Sequence, residues 1–124
     1  MAWKLTPRSL GALHGAYLLF GGLWPMLHMA SFEAVTGPKS DHWLVRSVGG
    51  ILIVVGATLF AEARRSSWSK GVVLIAMGVS FVLGVVAVVT SILGRIWPVY
   101  LLDAALHLAF VAAWTILLRS RAER

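Results

Sequence analysis

Four apolar runs dominate the chain: Leu10 to Ala30, Leu44 to Ala63, Gly71 to Leu93 and Ile96 to Leu118. Each comes close to the roughly 20 residues a helix needs to cross the hydrocarbon core of a bilayer. Only His14 and His28 interrupt the first run. The second carries Arg46 near its start and Glu62 near its end, the third holds no charge, and the fourth contains Asp103 and His107. Apolar and polar residues nowhere alternate with the period of two that a membrane β-strand requires. The pattern predicts an all-α fold, an integral-membrane four-helix bundle. It forms a single transmembrane domain over residues 1–124, with spans at about 10–30, 44–63, 71–93 and 96–118.

The connections are short. Met29 to Val35 continues as an interfacial turn of helix before Thr36-Gly37-Pro38 breaks it. Trp-Pro occurs at Trp24-Pro25, expected to close the first helix, and at Trp97-Pro98, expected to open the fourth. Lys4 and Arg8 ahead of an apolar run imitate a signal peptide, but the length of that run and its internal His and Pro argue for a resident helix. Beyond the Trp-Pro pair no internal repeat stands out, so an inverted-repeat transporter within one chain is not supported.

Composition agrees with this solvent. The 124 residues are 59% apolar and 13% charged, against about 25% charged in an average soluble domain. Disorder is excluded by the apolar content. The net charge is +6, and its distribution sets a direction. Lys4, Arg8, Arg64, Arg65, Lys70, Arg119, Arg121 and Arg124 fall on one side, against Lys39, Arg46 and Arg95 on the other. By the positive-inside rule both termini are cytoplasmic, in a cell inner (plasma) membrane. Trp3, Trp24, Trp43, Trp68 and Trp97 near the run ends fit an aromatic belt. Basic residues gathered at span ends are topology signals, so no nucleic-acid partner is expected. The absence of cysteine removes disulfides, thiolate catalysis and cysteine-ligated metal.

Lipid tails give helices no hydrophobic reason to associate, so small residues that admit close backbone approach mark the contacts. Gly11, Gly15 and Gly22 lie within about 40° of one another on the first helix. Gly50 on the second, Gly78 and Gly84 on two faces of the third, and Ala105 and Ala109 on the fourth extend the set. They serve packing within the bundle, or a homo-oligomer or larger membrane complex.

Ionisable residues inside a span each cost about 2.5–3.5 kcal/mol on insertion scales, so each needs a partner or a function. Asp103 and His107 are one turn apart and share a face with Phe110 and Trp114. Arg46 descends from the same surface, and an Arg46–Asp103 ion pair, with His28 and His107 hydrogen-bonding nearby, is the expected clamp between the second and fourth spans. Alternatively Arg46 snorkels to the headgroups, or the cluster forms an outward-facing pocket walled by Trp24, Trp97, Tyr100 and Phe110 that binds an anion or moves protons. His14 and His28 stand about 21 Å apart along one helix, too far to share an iron. Haem b remains a minor alternative, no metal site has a spacing signature, and no soluble-enzyme constellation is present.

The run Leu18-Leu19-Phe20-Gly21-Gly22-Leu23-Trp24, then Ser31-Phe32-Glu33 and a glycine-rich second helix, resembles the DoxX-like group of small bacterial four-helix membrane proteins over topology and about the first 60 residues. That resemblance implies an accessory role, often beside redox or oxidase machinery. The leading expectation is a non-catalytic accessory, assembly or structural subunit without a cofactor, docking through small-residue helix faces. A small-ligand binder or transporter using the polar pocket comes next, and a haem-binding electron-transfer subunit third.

Overall fold

Thr6 and Pro7 start the first helix. The Thr6 hydroxyl accepts the Ser9 amide at 3.1 Å while Ser9 Oγ accepts the Thr6 amide at 3.2 Å, and proline at the first helical position forfeits no hydrogen bond. The computed structural model describes residues 5–123; Trp3, Lys4 and Arg124, invoked above for charge and aromatic pattern, lie outside them. The described residues form five helices and no strand: α1 (Pro7–Leu27), α2 (Met29–Thr36), α3 (His42–Ala63), α4 (Lys70–Ile92) and α5 (Val99–Ala122). All but α2 are long and apolar enough to cross a membrane, consistent with a multi-pass membrane protein.

The first span ends at Leu27, short of Ala30, because His28 leaves helical geometry at φ −151°, ψ 82°. Pro25 is therefore inside the last turn of α1 and does not itself close it. His28 Nδ1 instead accepts the Ser31 amide at 3.1 Å and caps α2, which stops at Gly37 with its left-handed φ of 98°. Trp97 packs its ring on that glycine. Removing the cap by His28→Ala should fray α2 alone, since one N-cap is worth about 1 kcal/mol. Hydrogen exchange should speed up severalfold at the amides of α2 and stay unchanged in α1 and α3.

The bundle is built from two antiparallel pairs, α1 with α3 and α4 with α5, which pack more extensively within than between themselves. In the first pair backbone meets backbone. A Cβ placed on Gly15 would stand 2.8 Å from the Gly56 carbonyl oxygen, and one on Gly56 would stand 2.8 Å from that of Gly15. Gly22 and Gly49 repeat the arrangement two turns away, and Gly11 abuts Ala63. In the second pair Gly84 accommodates Leu108.

The other expected contact positions are not used this way. Gly50 and Gly78 have open space where a side chain would start, and Ala105 and Ala109 face outward. On α5 the inward face belongs to Ala104, His107 and Trp114, because burying the imidazole and indole there takes precedence over an alanine stripe about 100° away.

An apolar core joins all four long helices near the end where α1 begins and α5 finishes, called here the termini end. It contains Leu10, Leu59, Val73, Ala76, Trp114 and Leu117. Elsewhere α3 and α4 part slightly, leaving an apolar groove of about 370 Å³ lined by Val48, Ile51, Ile75 and Val79 among others.

Candidate functional site

The seam between the two helix pairs is polar. α1 contributes His14 and Tyr17, one turn apart. α4 contributes Ser80, and α5 contributes Asp103, His107 and Trp114 along one face. His14 and Ser80 are fully buried and His107 is 4% exposed. Groups this deep must satisfy their hydrogen bonds from one another.

The order of the bonds follows from one donor. The Trp114 indole can only donate, and its Nε1 lies 3.0 Å from His14 Nδ1. That nitrogen must be the acceptor, so the neutral His14 carries its proton on Nε2, 2.7 Å from Ser80 Oγ. Ser80 accepts there and turns its own hydrogen to His107 Nδ1 at 3.0 Å. With Nδ1 accepting from Ser80, the proton of neutral His107 is on Nε2, which faces Asp103 Oδ1 at 3.5 Å, an ion-pair approach longer than a hydrogen bond. The Tyr17 hydroxyl donates to the same carboxylate oxygen. The three hydrogen bonds from Trp114 to His107 point one way, and the Tyr17 bond meets Asp103 from α1, the whole seam covering about 16 Å of α5.

Aromatic packing holds the imidazoles in place. Phe110 stacks on His14 with centroids 4.4 Å apart and planes 9° from parallel. Tyr17 meets His107 edge-on at 5.2 Å. Trp68 closes the far side of Trp114 at 6.1 Å.

The two ends of the chain differ. At the Trp114 end it stops, because an indole N–H neither accepts nor relays a proton. At the other end the Asp103 side chain is 39% exposed, so its remaining oxygen sites reach the surface.

The site expected from sequence is redistributed. Asp103 pairs with Tyr17 and His107, not with Arg46, which is exposed and makes no ion pair among the described residues. The reason is topological: α5 packs beside α4 and α1, so the face bearing Asp103 looks toward α1. His28 is spent on capping α2.

The residues expected to wall a pocket also part company. Phe110 belongs to the buried chain. The Trp24 indole donates to Ser31 Oγ at 2.9 Å. Tyr100 lies under the Lys39 ammonium at 5.2 Å, while Trp97 covers Gly37. Around them Lys39 Nζ donates to the Gly37 carbonyl at 2.6 Å, and Glu33 pairs with His42 at 2.5 Å, stitching α2 to the start of α3.

Sequence reading missed His14, Tyr17 and Ser80 as partners of Asp103 and His107. His14 and Tyr17 share a flank of α1 adjacent to the glycine face, and that spacing was the available signal. Ser80 gave none, since serine in a membrane helix reads equally well as a small packing residue. Among the described residues no group of three or more His, Asp or Glu could hold a metal ion.

A scan against protein-family models, a search of curated proteins and a search of solved structures each return no match.

Proposed function

We propose that this chain is a small non-catalytic subunit of a larger membrane assembly, whose buried hydrogen-bond chain is an internal fastener. The observation that carries this reading is the closure of that chain. Both nitrogens of His14 and Nδ1 of His107 are hydrogen-bonded, His107 Nε2 faces the Asp103 carboxylate, and the run ends on a donor-only indole. A relay across the membrane needs a proton acceptor at each step, and haem ligation needs a free imidazole nitrogen. A relay through Trp114, or ligation by His14, would require breaking the fastener.

Docking is the function left to the outward faces. Gly50, Gly78, Ala105 and Ala109 are small, uncovered and spread over three helices, which suits close approach by helices of a partner or a second copy. The resemblance of the first 60 or so residues to DoxX-like proteins points the same way. The bias of Lys and Arg toward one side supports cytoplasmic termini, and the plasma membrane is the membrane proposed.

One observation favours a second reading, a binder or transporter of a small solute: the exposed end of the chain at Asp103. Two measurements separate them. Native mass spectrometry of protein released gently from its membrane should find it bound to another polypeptide or to itself. Vesicles carrying the purified chain and a trapped pH dye should leak protons no faster than empty ones. A lone monomer that conducts protons, with conduction lost in Asp103→Asn, would overturn the accessory role.

A further inference from the structure

At the termini end, the link from α3 to α4 and the last turns of α5 enclose a groove of about 450 Å³. Lys70 and Arg121 supply two cations, Ser66 and Ser67 two hydroxyls, and Trp68 and Leu118 an apolar floor. The guanidinium of Arg121 lies over the Trp68 ring at 5.5 Å. Stacking uses the face of the guanidinium and leaves its fork of N–H donors free in the plane. Trp68 is itself propped from below by Trp114, so the arginine is held on a fixed support.

Among the described residues neither Lys70 nor Arg121 forms an ion pair. Glu62 accepts the Ser69 amide at 2.6 Å and pairs with Arg65 at 3.7 Å. Glu123 follows Arg121 by about 200° around α5 and forms no ion pair among the described residues. The groove opens where the apolar spans of α4 and α5 reach the membrane surface, so anything entering meets both cations and hydrocarbon.

We propose that this groove binds the phosphate of an anionic phospholipid. Lys70 and Arg121 face the phosphate, Ser66 and Ser67 offer donors to its oxygens and to the glycerol, and Trp68 and Leu118 carry the first acyl carbons. The two cations select against a zwitterionic choline headgroup, whose ammonium would add a third positive charge to the groove. The apolar floor selects a lipid over a free anion. Basic pockets between helices at a cytoplasmic surface are known to hold such headgroups, each cation being worth about a fivefold change in affinity near the surface.

The test is native mass spectrometry on delipidated protein in detergent, offered phosphatidylglycerol, phosphatidylcholine or inorganic phosphate. One phosphatidylglycerol should be retained in preference to phosphatidylcholine. Lys70→Gln and Arg121→Gln should each lower that preference about fivefold, while Arg95→Gln, which lies in the link from α4 to α5 at the opposite end, leaves it unchanged. Both groove residues are exposed, so unchanged circular dichroism is expected of the variants. Equal retention of the two lipids, or an equal loss in Arg95→Gln, would refute a built site. Displacement of phosphatidylglycerol by inorganic phosphate would make it a free-anion site and refute the lipid assignment.

Discussion

Gly56→Leu is expected to lower stability by about 3 kcal/mol or more, among the largest losses a single substitution in the bundle causes. The site has no slack: even a methyl group there would stand 2.8 Å from both the Gly15 carbonyl oxygen and the Leu19 amide nitrogen. Those are backbone atoms of α1, which cannot rotate away as a side chain tip can. Overpacking a well-filled core usually costs about 1–3 kcal/mol, and here relief requires moving two whole helices apart. Separation would then expose the Gly22–Gly49 contact and loosen the seam that His14 and Tyr17 reach across. Unfolding by sodium dodecyl sulfate, followed by circular dichroism in mixed micelles, should give a midpoint well below that of the parent chain. Gly50→Leu is the matched control. Gly50 lies one residue from Gly49 on the same helix yet has open space around it, so the same leucine should leave the midpoint within about 0.5 kcal/mol, the range of ordinary surface changes.

Ser80→Ala is expected to lower stability by about 1–3 kcal/mol. Its hydroxyl is the single link between the two imidazoles, accepting from His14 and donating to His107. Alanine leaves a buried N–H of His14 and a buried lone pair of His107 without partners, each a penalty of about 1–3 kcal/mol in water-soluble proteins. Bonds between membrane helices average nearer 0.6 kcal/mol because the unfolded chain in lipid also finds partners, which sets the lower bound. Threonine keeps the hydroxyl, and Ser80→Thr should recover most of the loss. If alanine and threonine prove equally destabilising, the effect comes from packing and not from the hydrogen bonds.

How much of this was legible in the residues depends on range. The membrane spans follow from runs of about 20 apolar residues, a local property that no tertiary contact overrides. The pairing of α1 with α3 was half legible: Gly11, Gly15 and Gly22 define one face by themselves, but their partners Gly49 and Gly56 do not stand out from Gly50, the other glycine of the second run. Asp103, His107, Phe110 and Trp114 were seen to share a face because a helix enforces that geometry.

What those side chains touch was not legible. An aspartate and an arginine at compatible depths make a natural pair when depth is all that is known. Depth says nothing about which helix is adjacent, and α5 packs on α4 and α1. His14 sits a turn or two from the start of α1, and a serine midway on α4 bridges it to His107. Such a bridge is visible only once three helices are in place.

The tautomers of the two buried histidines test the central claim most directly. Nitrogen-15 spectra of the chain in lipid bicelles at neutral pH should show His14 and His107 both neutral and both protonated on Nε2, with a coupling carried through the hydrogen bond from the Trp114 indole to His14 Nδ1. Either ring protonated on Nδ1 alone, or both exchanging freely with solvent, would contradict a one-way chain from Trp114 to His107 and with it the view that this chain holds the helix pairs together.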